Sequence, residues 1–272
     1  PKPSSAASDV YKRQTFSIIE KLKNITTDGI KNYKNSINSW LQSSAYSIDC
    51  EEKKTALKNL FERSKVALIY GAAGTGKSTM INHISNFFDK ESKLYLANTN
   101  PAVDNLKRNI KVANSTFKTI TKFSWSYETQ YDILIIDECS TVSNSDMLKI
   151  LNRTKFRLLI LVGDIFQIES ILFGNWFSLI KYFIPESSVF ELEKPYRSNN
   201  EKLLTLWKRV RNIDDNILET LTKNQYSTTL DNTIFENTEE DEIILCLNYD
   251  GLYGINNINT FLQSSNNNKA FI

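Results

Sequence analysis

The most specific chemistry in this 272-residue chain lies in a glycine-rich stretch, GAAGTGKST at 71–79, and in two adjacent acids, Asp137 and Glu138. The stretch fits the pattern G-x-x-x-x-G-K-[ST]. Gly71, Ala72, Ala73, Gly74, Thr75 and Gly76 would form a loop whose glycines allow backbone angles that aim successive N–H groups at phosphate oxygens. A helix starting near Gly76 adds its positive N-terminal end. In such a loop Lys77 reaches the β- and γ-phosphates, the Ser78 hydroxyl ligates Mg²⁺, and Thr79 continues the phosphate-binding turn. In DILIIDECS (132–140) an apolar run ends in the two acids. Asp137 can hold Mg²⁺, and Glu138 can orient and deprotonate an attacking water. Alone, the acids would read as a solvated strand end. Beside a phosphate loop they predict phosphoryl transfer to water.

These groups need a scaffold that presents loops at strand ends. Short apolar runs, VALIY (66–70), KLYLA (93–97), DILIID (132–137) and RLLILV (157–162), alternate with stretches at 77–88, 101–111 and 145–152 that read as helices. Continuous apolar runs of this length suit buried parallel strands. Their alternation with helices predicts a doubly wound α/β fold, with a parallel sheet flanked by helices. Upstream, Ile30, Tyr33, Ile37, Trp40 and Leu41 recur at helical spacing, and Asp49 is placed to cap a further helix with Glu52 at the capping-box position. Residues 200–223 read as helical and charged. A polar stretch (224–240), a strand EIILCL (242–247) and a helix around 253–263 follow, the beginning of a second α/β domain. The organisation read from the sequence is a non-native leader at 1–14, a helical segment at 15–64, an α/β domain at 65–195 and the incomplete start of a second at 196–272.

Composition narrows the class. With 41% hydrophobic and 24% charged residues and a net charge of +2, the chain reads as an ordinary soluble globular protein, and its charge does not by itself demand a polyanionic partner. Cys50, Cys139 and Cys246 are far apart and form no C-x-x-C pair, which argues against a disulfide framework or a zinc cluster and fits a cytoplasmic setting. No run of 18 apolar residues predicts a membrane span. The single histidine, His83, reads as a packing or surface residue.

Taken in order, the segments resemble superfamily 1 helicases, especially the RecD-like branch. GAAGTGKST (71–79) is similar to motif I, LANTNPAVDNL (96–106) to motif Ia, and STFKTI (115–120) to the next DNA-contacting motif. IIDECSTVSN (135–144) is similar to motif II, LVGDIFQIES (161–170) to motif III and LEKPYRS (192–198) to motif IV. LNYDGLYGINNINTFLQ (247–263) resembles the segment that opens the second motor domain. The resemblance implies an ATP- and Mg²⁺-dependent motor on single-stranded DNA, with a RecA-like P-loop motor domain at 65–195 and the start of a second at 196–272. In it Gln167 would sense the γ-phosphate, Asp164 would support it, and Arg197 would act as an arginine finger. Thr99, Asn100 and Phe117 would line the nucleic-acid path. Phe117 reads equally as core, and Trp176 reads as core before stacking platform. EEKKTAL (51–57) stands where the family has Q-x-x-A, so base preference is open, and Lys118 stands where many relatives have His. Motifs V and VI lie beyond the last residue, so weak hydrolysis and translocation are expected of this chain alone. An RNA-directed motor, a non-translocating ATPase switch and a small-molecule kinase are the rival classes. The sequence is silent on oligomeric state.

Overall fold

Apolar runs that face packed helices on both sides must hydrogen-bond to neighbours of the same kind, and here they do. The computed structural model describes residues 5–43, 46–124, 129–167, 174–196, 198–227 and 245–265. Six parallel strands form the main sheet: β1 (Val66–Gly71), β2 (Lys93–Ala97), β3 (Ser115–Thr119), β5 (Ile133–Ile136), β7 (Leu158–Gly163) and β8 (Val189–Leu192), in the order β3-β2-β5-β7-β1-β8. The central pairings place Val66 opposite Leu159 and Ile69 opposite Val162, and Ile135 opposite both Tyr95 and Ile160. Two short strands, β4 (Thr129–Gln130) and β6 (Thr154–Lys155), pair separately.

Alternation along the strands divides the core in two. Ala67, Ile69, Tyr95, Ile133, Ile135, Ile160 and Val162 face a layer made by α2 (Tyr33–Ser43), α3 (Glu51–Asn59), α4 (Lys77–Phe87) and α5 (Asn100–Asn109). Val66, Leu68, Leu94, Leu96, Leu134, Ile136, Leu159 and Leu161 face the opposite layer. That layer is α1 (Ser5–Ile25), α6 (Ile120–Ser124), α7 (Asn144–Arg153) and α8 (Trp176–Ile180). The fold is thus the expected RecA-like α/β arrangement. α1 runs through much of the segment expected to be a leader. Thr15 Oγ1 and Asn144 Nδ2 both donate to the Tyr11 carbonyl.

The chain divides into two compact units, Pro1–Glu201 and Lys202–Ile272. Within the second, α9 (Glu201–Arg211) and α10 (Ile217–Lys223) are joined by Arg209, which donates to the Asn216 carbonyl and to Thr220 Oγ1. α11 (Ile255–Ser265) falls where a helix was expected. Most of EIILCL (242–247) lies outside the described residues, and 245–247 is not strand. The capping expectation needs correction. The N-cap of α3 is Cys50, with no side-chain cap bond. Asp49 turns instead to Lys53 and His83, and Glu52 Oε1 accepts from the Glu193 N–H.

Trp176 is fully buried, and its indole N–H donates to the Val142 carbonyl at 2.9 Å. It is core, tying α8 to the turn that follows β5. Trp176→Ala should cost about 3–5 kcal/mol in urea unfolding. A loss under about 1 kcal/mol would mean that the ring does not hold these elements together.

Candidate nucleotide site

β1 delivers the chain into the loop at Gly71, and α4 leaves it at Lys77. Gly74 (φ 82°) and Gly76 (φ 86°) lie in the left-handed region that only glycine enters without cost. The turn is pinned by Thr75 Oγ1, which donates to the Ala72 carbonyl at 2.9 Å. Lys77 Nζ donates to the Gly71 and Ala72 carbonyls at 2.7 and 2.9 Å. Its ammonium therefore lies across the loop itself. Ser78 is half-buried, and Ala73 and Thr79 are exposed.

Strand order brings the acids to this loop. β1 lies beside β7, and β7 beside β5, so the carboxyl ends of three neighbouring parallel strands carry the loop, Asp164 with Gln167, and Asp137 with Glu138. This is the rim where open parallel sheets bind ligands. Asp137 is buried, and desolvation pushes its carboxyl up to about 6. The Glu138 N–H, donating to Asp137 Oδ1 at 2.9 Å, works against that rise, Glu138's charge adds to it, and Lys77 opposes it. Glu138 is raised by burial and drawn down by Lys77. Both acids thus feel the loop lysine.

Glu138 also sits at φ 54°, ψ 39°, a left-handed conformation that costs a non-glycine residue about 1 kcal/mol or more. Its carbonyl is held by Thr141, whose N–H and Oγ1 donate at 2.9 and 2.8 Å. After β7, Asp164 is buried and its Oδ1 accepts the Phe166 N–H at 3.0 Å. Gln167 is exposed, and Ser140 Oγ donates to its Oε1 at 3.4 Å. A hydroxyl from the acid strand's turn therefore meets the glutamine of the next strand, a link that the sequence did not signal.

The other flank of the loop, beside β8, holds residues that sequence reasoning missed. The Tyr196 N–H donates to the Gly74 carbonyl at 2.8 Å. Lys53 is 1% exposed. It is paired with Asp49 and lies 4.5 Å from the centroid of the Tyr196 ring. A Cβ on Gly76 would come within 2.6 Å of Lys53 Nζ, so the end of that lysine lies against the loop, and the positive φ is what requires glycine here. His83 is buried, with Nε2 at 2.6 Å from Asp49 Oδ1 and Nδ1 at 3.0 Å from the Tyr46 hydroxyl. Burial lowers the His83 pKa, and Asp49 only partly opposes this. Burial pulls Asp49 upward, yet hydrogen bonds from Lys53 and His83 hold it below the usual carboxylate range. A lysine four residues after an acid was the available signal, and it is too common to single out a site.

The residues expected along a nucleic-acid path lie at the start of α5 and on β3. Thr99 and Asn100 are exposed where α5 begins, and Thr99 Oγ1 caps that helix by accepting the Ala102 N–H at 3.3 Å. Phe117 is level with Tyr95 in the β2–β3 register, short of the strand end. It is half-buried and stacks on the Tyr95 ring at 4.5 Å between centroids. Arg197 lies outside the described residues. Among the described residues, no helix is long and apolar enough to cross a membrane.

A family model described as an AAA domain matches residues 50–231. None of the curated proteins matches the sequence. Among solved structures, a Pif1 helicase from Bacteroides in complex with ADP-AlF3 and ssDNA is 17% identical, with a TM-score of 0.53 over 82% of this chain and 59% of that one. A Pif1 helicase from Candida albicans is 22% identical, with a TM-score of 0.41 over 61% of this chain and 44% of its own. The chain spans about half the length of the Pif1 helicases it resembles. At these identities the likeness is one of fold.

Asp137 yields a test that needs no ligand. Its folded pKa, about 6, lies above its ordinary 3.8. The folded chain therefore holds this proton more tightly than the unfolded chain, and stability falls as pH rises from about 4 to about 6. Asp137→Asn removes the buried charge and keeps an oxygen for the Glu138 N–H. It should stabilise the chain at pH 7.5 by on the order of 2–3 kcal/mol, with the gain shrinking toward zero near pH 4 in thermal melts. An equal effect at both pH values would mean that the carboxylate is not buried uncompensated.

Proposed function

The chain belongs to the AAA domain family and has the fold of superfamily 1 helicases, and from that premise we propose that it is the motor region of an ATP-driven translocase on single-stranded DNA. One observation carries this reading: the phosphate loop, Asp137 with Glu138, and Gln167 stand at the carboxyl ends of three adjacent parallel strands, with both acids under the influence of Lys77. The Pif1 structure of the same fold was solved with ADP-AlF3 and ssDNA, which supports the choice of ligands.

In this reading residues 71–79 cradle the phosphates through backbone N–H groups, and Lys77 turns from the Gly71 and Ala72 carbonyls onto phosphate oxygens. Glu138 accepts the proton of the attacking water. Burial gives it a basicity above an ordinary carboxylate and so suits it to that task. Gln167, tethered to Ser140, reports the terminal phosphate to the turn after β5. Arg197 is proposed as the arginine finger, and residues 196–272 as the beginning of a second motor domain. Thr99, Asn100 and Phe117 are proposed as contacts to the strand.

Ser78 and Asp137 are hard oxygen donors that fit Mg²⁺, and Asp137 is a buried carboxyl held far from its ordinary pKa. Among the described residues no cluster of three or more His, Cys, Asp or Glu could hold a metal ion. The ion would therefore take its remaining ligands from phosphate and water. When bound, such an ion would neutralise phosphate charge.

ATP hydrolysis measured with and without single-stranded DNA, and with RNA in its place, on a version of the chain extended to include motifs V and VI, tests the reading. DNA should raise the rate many-fold and RNA should not. Lys77→Ala should lower it by about 10²–10³, and Glu138→Gln by about 10²–10⁴ with nucleotide binding kept. Hydrolysis that needs Lys77 but ignores both polymers would leave the nucleotide site standing and remove the motor.

A further inference from the structure

The strain at Glu138 calls for a cause. A left-handed backbone at a glutamate persists only where its surroundings over-determine it, and the turn Cys139–Thr141 after β5 supplies the restraint. Thr141 donates to the Glu138 carbonyl twice, from its N–H at 2.9 Å and from Oγ1 at 2.8 Å. A hydroxyl has one proton to give and lone pairs to accept with. With that proton committed to Glu138, the Thr141 hydroxyl can only accept from any other neighbour.

That neighbour is Asn98, the residue that follows β2. Its Nδ2 donates to the Thr141 carbonyl at 3.0 Å and to Thr141 Oγ1 at 3.3 Å. An amide nitrogen of this kind is a donor only, so it matches both acceptors. β2 and β5 lie side by side, with Leu96 opposite Ile136, and the Asp137 N–H donates to the Leu96 carbonyl at 2.8 Å. Asn98 and Glu138 each follow that locked rung by two residues, where the ladder has ended and side chains join the two loops. The helix after Asn98 does not account for the contact, because Thr99 caps α5. The core does not account for it either, because Asn98 is exposed.

We propose that Asn98 and Thr141 are positioning residues for hydrolysis: Asn98 orients the Thr141 hydroxyl, and Thr141 holds Glu138 in the left-handed setting that aims its carboxylate at the attacking water. This rests on the reading of Glu138 as the base. Asn98 acts on Glu138 through Thr141, so the two residues form one relay. Without the amide, the Thr141 hydroxyl is free to turn toward solvent, and one of the two bonds that offset the strain at Glu138 is lost. The base then samples other backbone settings, and a misplaced base costs rate without costing nucleotide affinity.

The relay is tested by ATP hydrolysis at saturating oligothymidylate, on the chain extended to include motifs V and VI. Thr141→Val removes the hydroxyl and keeps the shape. It should lower kcat by about 10–10² with KM for ATP unchanged, whereas Thr141→Ser, which keeps the hydroxyl, should keep the rate. Asn98→Ala alters an exposed position and no core contact, so its folding is not in question. It should lower kcat in the same direction, again at constant KM. The double variant Asn98→Ala, Thr141→Val should be no slower than Thr141→Val alone, because both changes break the same relay. Losses that multiply overturn the proposal, since the two residues would then act apart. So does a kcat for Asn98→Ala equal to that of the unaltered chain, and so does a change confined to KM. If Glu138→Gln leaves hydrolysis intact, the base lies elsewhere, and the reading of Glu138 fails first and this inference with it.

Discussion

Everything at this site follows from burying a parallel sheet on both faces. Such a sheet has no face free for chemistry, because helices cover each side and alternate residues of every strand are spent on one core or the other. Polar groups that must meet a ligand can stand only where strands end. The six strands run in one direction, so their carboxyl ends open on one rim. Asp137, Asp164 and the turn at Gly71 are the first residues past apolar runs that are wholly buried. Their nearness is a consequence of strand order, not of local sequence.

That constraint also sets the electrostatics. A carboxyl placed one residue beyond a buried strand is itself desolvated, and Asp137 shows the effect most strongly. The loop supplies a single lysine at its centre, and in this structure its ammonium is bound to the loop's own carbonyls. The flank beside β8 solves the same problem differently. There a buried lysine is neutralised at once by Asp49, and the surplus acceptor capacity is turned outward. One rim thus holds a carboxylate raised by burial and another lowered by its partners, which is how a shared scaffold gives like groups unlike roles.

Legibility in the sequence tracked burial. VALIY, KLYLA, DILIID and RLLILV became β1, β2, β5 and β7, because strands covered on both faces leave continuous apolar runs. β8, with VFEL, is an edge strand paired only with β1, and it carries a charged residue that blurs the pattern. β3, with STFKT, was visible only as strand-like for the same reason. The phosphate loop was readable because its backbone angles restrict residue type at fixed spacing. Asp49 was misread because an acid before a helix fits a cap, whereas Lys53 and His83, the latter 34 positions away in sequence, divert it. Lys53 was invisible for a related reason. Nothing local distinguishes a lysine that will be buried under a tyrosine ring from one on a solvated helix face.

The placement of cost in the structure points the same way as the placement of charge. Glu138 is held in a left-handed conformation by two bonds to its carbonyl, Asp137 is desolvated, and Lys53 is an ammonium with almost no exposure. A chain selected only for stability would relieve each of these, by glycine, by asparagine and by an apolar residue respectively. All three lie within the shell of residues around one loop. Costs of several kinds gathered around one loop suit residues retained for what they contact. The flank that holds Lys53 and Asp49 carries such a cost as plainly as the flank that holds the paired acids, and both border the same loop.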